Sequence, residues 1–398
     1  MPHPGFRIFV LGAGFSRPAG LPLASELFPL VKNSIEERHG RDTKFHKDLA
    51  DYIRYKKLAD GEEVHESAVD LEALHSHLDI EHFLGLRGSD TWSKEGNESQ
   101  LMIRRAIGEV IHRHTPALDK LPSAYYRFAE NLSLHDWVLT LNYDLVLERA
   151  LEHVGKPYRL FPHRFVDVGE HLNVVDSSKE EVILLKLHGS VDWFHNASFL
   201  EQRASLGPRT AAGPVVHEVF DFPERFGVSP LVEGPRQPDD PLRHVQRIKN
   251  CDAFYRSSRG FDAPFILSPS HVKFVYAQPL LSFWHGMGQS GGWNLGLNVI
   301  GFSLPQHDEY IRVGLYQMIR NFQFYSWDTN FFGHHKDYVK FVDFQASRDG
   351  MNRYLKRYAF SEPSRSAFLF AGFGDDAVEF LFTQQRPAPT NIVTGAIG

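Results

Sequence analysis

Arg7-Ile8-Phe9-Val10-Leu11-Gly12-Ala13-Gly14-Phe15-Ser16 is the stretch that decides the fold. Its apolar run is short enough for a buried strand, and the chain turns on glycine directly after it. A strand that ends in a glycine turn opening a helix is the start of a βα unit. Apolar runs of the same kind recur at 137–141, 182–187, 265–267, 297–300 and 339–344, most of them leading into polar or glycine residues. Such runs, separated by helical patterns, predict an α/β fold: a Rossmann-like parallel sheet with helices on both faces.

Two stretches interrupt this pattern. Residues 34–133 read mainly as helix, with Leu71, Leu74, Leu78 and then Ile103, Ile107, Val110, Ile111 at three- and four-residue spacing. They predict an inserted helical subdomain. Residues 196–261 carry Gly207-Pro208, Gly213-Pro214, Pro223, Pro230, Pro235, Pro238 and Pro241. That density of breakers predicts a proline-rich insertion, irregular apart from a short helix near 242–249. The sheet domain is expected over 1–345 and a C-terminal tail over 346–398.

Composition excludes several classes. The chain has 398 residues and one cysteine, Cys251, so it can close no internal disulfide and build no four-cysteine zinc module. With 43 basic and 49 acidic residues its formal charge is -6, which argues against a dedicated nucleic-acid binder. The basic and aromatic stretch Asn352–Tyr358 reads as a solvated helix face. The 22 histidines make neighbours such as His75, His77 and His82 expected by chance, no HExxH spacing occurs, and no metal is expected. The N-terminal residues do not resemble a signal peptide, and no run approaches the roughly 20 apolar residues of a membrane span. The expectation is a cytoplasmic protein.

Four strand ends carry the chemistry. Gly12-Ala13-Gly14 offers a tight turn and a bare backbone for a phosphate, but the third glycine of GxGxxG is replaced by Arg17, so a purely structural turn is the competing reading. Thr140-Leu141-Asn142-Tyr143-Asp144 ends a strand in polar groups, where Asn142 or Asp144 serves either a crevice or a helix cap. Leu187-His188-Gly189-Ser190 sets an imidazole at a strand end, as a base or as a structural residue. Gly301-Phe302-Ser303-Leu304 is again a strand running into a small-residue turn.

Taken together and in this order, these motifs resemble the sirtuin core. More closely they resemble the sirtuin-like NAD hydrolase domain of bacterial antiphage defence systems, on Leu187-His188-Gly189-Ser190-Val191-Asp192-Trp193, Ile266-Leu267-Ser268-Pro269-Ser270-His271-Val272-Lys273 and Gly301-Phe302-Ser303-Leu304-Pro305. The chain departs from protein deacylases of the sirtuin family: Gly20-Leu21-Pro22 is followed by Leu23-Ala24-Ser25, and the four zinc-binding cysteines are missing. The resemblance therefore implies cleavage of NAD to nicotinamide and ADP-ribose by an NAD-depleting defence effector. It assigns Asn142, His188 and Asp144 to catalysis. Gly12, Ala13, Gly14, Phe15, Ser16 and Thr140 would hold the diphosphate and the nicotinamide ribose, and Gly301, Ser303 and Asp343 the adenosine half. It further implies a homo-oligomer or a separately encoded partner, such as a HerA-type ATPase or an Argonaute-like protein. The competing function is a non-catalytic module that binds NAD or an ADP-ribose derivative within a larger assembly.

Overall fold

The computed structural model describes residues 6–86, 94–161, 163–169, 173–206, 213–257, 260–284, 294–305, 308–329 and 333–387. Its strands are β1 (Arg7–Leu11), β2 (Trp137–Thr140), β3 (Tyr158–Arg159), β4 (Phe165–Val168), β5 (Asn173–Val175), β6 (Val182–Lys186), β7 (Trp193–His195), β8 (Val228–Pro230), β9 (Val245–Ile248), β10 (Gly296–Ile300), β11 (Val339–Val342) and β12 (Ser366–Leu369). The chain divides into two compact units. One comprises residues 1–21, 115–187 and 280–398, the other 22–114 and 188–279.

The first unit is built on a seven-stranded sheet in the order β12-β11-β10-β1-β2-β6-β3, and every pairing in it is parallel. β6, β10 and β11 are buried at every position, which is why they read as mostly apolar runs, interrupted by Lys186, Asn298 and Lys340. Register shows both faces covered. Phe9 pairs across to Asn298, and Asn298 to Lys340, so these three share a face. On that face Phe9 meets Phe128 and Phe382, from the helices Ser123–Asn131 and Asp375–Phe382. Phe341 points the other way, onto Tyr358 of the segment that ends the helix Arg348–Arg357. The sheet is thus the Rossmann-like α/β fold expected from the sequence. β4 and β5 form a separate antiparallel pair.

Lys340 shows how a charged residue lies buried in a central strand. Its ammonium pairs with Asp337 at 2.7 Å and donates to the carbonyls of Leu381 and Thr383, closing the C-terminal end of the helix Asp375–Phe382.

The second unit joins both interruptions. The helices Ala24–His39, Lys44–Ala59, Leu71–Phe83 and Glu98–His114 pack with a small antiparallel sheet of order β7-β9-β8. Arg105, buried on the helix Glu98–His114, donates to the carbonyls of Phe254 and Asp262 and lies over the Phe254 ring at 3.8 Å. The segments expected as two insertions, 34–133 and 196–261, are therefore parts of one body, and the helix Ser123–Asn131 belongs to the sheet unit instead.

Three further expectations are corrected. Residues 265–267 form no strand of the sheet but an isolated bridge between Ile266 and Gly189. The helix expected over 242–249 is a 3-10 turn, Pro241–His244, followed by β9. Residues 346–387 are no tail: β12 is the edge strand of the main sheet, and residues 388–398 lie outside the described ones. The stretch Asn352–Tyr358 is amphipathic, with Tyr354 and Tyr358 in the core beside Phe341 and its other residues exposed. Among the described residues no helix is long and apolar enough to cross a membrane, and no group of three or more His, Cys, Asp or Glu could hold a metal ion.

Candidate functional site

β1 is the centre of the sheet, with β2 on one side and β10 on the other. Strand order reverses at this point, and open α/β sheets bind ligands at the carboxyl ends of the strands flanking such a reversal. The turns after β1 and β10 meet there. The amide of Gly12 donates to the Ile300 carbonyl at 2.9 Å, and that of Gly14 to the Gly301 carbonyl at 2.8 Å. A Cβ on Gly301 would lie 2.2 Å from the Phe15 nitrogen, and one on Gly12 2.6 Å from the Gly301 oxygen. Gly301 also has φ 61°, in the left-handed region that favours glycine. The glycines that the sequence marked as a phosphate turn are thus required by the contact of two turns.

That contact also uses up donors. Besides Gly12 and Gly14, the Phe15 amide is taken by the Gly12 carbonyl. Ala13 is the exposed residue of this turn. The helix opened here is a single turn, Ala13–Ser16, running into the 3-10 segment Arg17–Ala19.

Asn142 follows β2 and spans to the same turn. Its Nδ2 donates to the Gly12 carbonyl at 2.9 Å and to Ser16 Oγ at 3.0 Å. Both amide hydrogens are thereby committed, and the oxygen Oδ1 is the group through which Asn142 can accept a hydroxyl. Thr140 shapes the approach, because its Oγ1 accepts the Asn142 amide at 3.1 Å. Asp144 serves the following helix: Oδ1 accepts the amide of Val146, the first residue of the helix Val146–His153.

Phe15 contributes backbone only. Its ring is buried among Tyr125, Phe128 and Phe373, with centroids 5.2, 5.4 and 4.5 Å away, and its carbonyl accepts the Tyr125 hydroxyl at 2.6 Å. Desolvation raises the pKa of that hydroxyl, keeping it a neutral donor. Ser303 is exposed beyond β10, and its carbonyl accepts Arg357 Nη1 at 2.9 Å. The next residue, Leu304, has φ 52°, a strained conformation for a branched side chain of the kind that collects at functional sites. Asp343 ends β11. Burial raises its carboxyl pKa, and the hydrogen bond of 2.7 Å from Gln345 Nε2 opposes that shift.

One contributor was missed in the sequence. Lys186, the last residue of β6, is fully buried, pairs with Glu148 at 2.7 Å and donates to the Asp144 carbonyl. It fixes the loop that carries Asn142. A lysine closing a run of four apolar residues was the available signal.

The sheet unit therefore brings together Gly12, Gly14, Ser16, Thr140, Asn142 and Gly301. Asp343 lies two strands from β1, at the end of β11. His188 belongs to the second unit, where it is buried and its carbonyl accepts the Leu267 amide at 2.8 Å.

Fold and site define an α/β protein whose turns after β1 and β10 meet at the carboxyl ends of the central strands. A family model described as a SIR2-like domain matches residues 136–204, the segment that carries Asn142, Asp144, Lys186 and His188. A comparison with curated protein sequences gives no match. Among solved structures the chain is similar to Sir2Tm bound to a propionylated peptide, with 14% identity, 94% of this chain and 90% of that chain covered, and a TM-score of 0.33. It is also similar to a structure described as Sir2-p53 peptide-NAD+, with 12% identity, 94% and 90% coverage, and a TM-score of 0.29.

Proposed function

We propose that the chain binds NAD at the β1/β10 reversal and hydrolyses the bond between nicotinamide and ribose, depleting NAD as a defence effector. The observation that carries this reading is that Asn142, inside the SIR2-like segment, clamps the Gly12-to-Ser16 turn. It leaves an amide oxygen at the carboxyl ends of the central strands, where the nicotinamide ribose would sit.

The chemistry asks little of an acid. As the C1′–N bond breaks, the positive charge of the pyridinium passes to the ribose and nicotinamide leaves neutral. A water then adds to C1′ and loses a proton. Asn142 Oδ1 accepts a hydrogen bond from that water or from a ribose hydroxyl and so orients it. His188, assigned to catalysis by its motif, is a base of the kind that proton needs, a contribution of about 10²–10⁴ in rate for a positioned base. Gly12, Gly14 and Gly301 hold the two turns together at the edge of the dinucleotide site, Ala13 offers an amide, and Ser303 and Asp343 take the adenosine half. Asp144 acts on the pocket through the helix whose first amide it accepts. Activity is set by self-assembly or a separately encoded partner.

The test is to incubate the purified protein with NAD and separate the products by chromatography. Nicotinamide and ADP-ribose in equal amounts are expected, with ADP-ribose formation lost in His188→Ala. Tight NAD binding with no products would replace hydrolysis by the function of a binding module.

A further inference from the structure

The second unit carries a half-open cavity of about 820 Å³ that the NAD reading does not use, within the size range of small-molecule sites. Its wall carries Phe199, Phe222, Phe261 and Phe265 beside a few polar groups. The wall also carries the charged residues Glu95, Arg104 and Glu218. Glu218 pairs with Arg225 at 3.1 Å, while Arg104 donates to the Glu95 backbone carbonyl and leaves its Nε without a partner.

Asp262 is different. Its Oδ2 accepts the Glu218 amide at 2.6 Å, yet among the described residues no lysine or arginine forms an ion pair with it. The nearest candidate cation is His217, with Nδ1 3.6 Å away and no hydrogen-bond partner. Burial pushes the His217 imidazole down to about 4, so it is neutral and supplies no counter-charge. The same desolvation pushes the Asp262 carboxyl up to about 6. Arg105, which donates to the Asp262 backbone carbonyl at 3.0 Å, acts on the carboxyl as a charge but forms no ion pair with it. A largely buried carboxylate with no ion pair to a lysine or arginine is costly, and a cation delivered by a ligand would relieve that cost. Aromatic faces add to the attraction for a cation.

We propose that this cavity is a second ligand site, for a small organic cation: a protonated amine or amidine whose charge pairs with Asp262 while Phe199, Phe222 and Phe261 enclose its apolar body. The site is separate in residues and chemistry from the NAD site, and its test needs no NAD.

Three probes of one shape and different charge decide it: benzamidine, benzamide and benzoate, titrated calorimetrically into the full chain. Benzamidine is expected to bind about tenfold or more tighter than neutral benzamide, and benzoate weakest of all. Asp262→Asn, which keeps an acceptor for the Glu218 amide, should remove the preference for benzamidine over benzamide. Phe199→Ala, at a half-buried position, should weaken benzamidine and leave the fold intact. The proposal is overturned if benzamidine fails to bind, if it binds no better than benzamide or benzoate, or if either variant binds it as the wild type does.

Discussion

At Gly301 a single missing side chain serves both fold and site. A Cβ there would overlap the backbone of Gly14 and Phe15, and the backbone would hold φ 61°. Gly301→Ala is therefore expected to cost at least about 1–2 kcal/mol from the left-handed backbone alone. The overlap adds to this, and chemical denaturation with a lowered midpoint checks it. Asp343 makes the opposite trade. Burial raises its carboxyl pKa, so the folded state favours the neutral form, and the group's stability contribution is lost as pH rises through the carboxylate range. Asp343→Asn should melt higher than wild type at pH 7 and at the same temperature near pH 3. The same variant should bind NAD about tenfold more weakly, as expected for losing a charged hydrogen bond to ribose. If NAD affinity is unchanged, Asp343 has no part in the adenosine half.

At the scale of elements, β6 and the loop after β2 are tied together by Lys186, Glu148 and the Asp144 carbonyl. Lys186→Met leaves Glu148 charged and buried, and should destabilise by about 3–5 kcal/mol. Adding Glu148→Leu should restore most of that stability but not the anchoring of Asp144, so the double variant should fold while NAD turnover stays reduced. Full turnover would show that the loop is held without Lys186. The central strands were legible in the sequence because burial on both faces makes them mostly apolar. The edge strands were not: β3 has two residues and β12 is only half-buried, so neither carries that signature. The run at 265–267 misled because three apolar residues look alike in a strand and in a buried loop. The union of the two insertions rests on Arg105 reaching carbonyls 149 and 157 positions away, a pairing no local pattern encodes. The site was legible in part for the same reason. Gly12 and Gly14 were visible as a turn, but their partner Gly301 lies far along the chain, and the use of Asn142 Nδ2 as a clamp appears only once both turns are in place.

Across the whole molecule, Lys336 sets a pH dependence. It is fully buried, donates to the carbonyls of Phe322 and Tyr325, and desolvation pushes its pKa down to about 7 from an ordinary value of 10.5. As pH falls between those values the unfolded chain takes up a proton that the folded chain does not, so stability should fall over that window and level off below about 7. The melting temperature of the wild type should rise from pH 7 to pH 9 relative to that of Lys336→Met, and parallel curves would contradict the assignment. The central claim, that the clamped turn at the β1/β10 reversal is a hydrolytic NAD site, is tested most directly by the initial rate of nicotinamide release at saturating NAD in wild type and Asn142→Ala. The account expects release by the wild type and a loss of about 10²-fold or more in the variant, as for a group that positions the reacting water. Equal rates in the two proteins, or NAD bound by the wild type without any nicotinamide released, would contradict it.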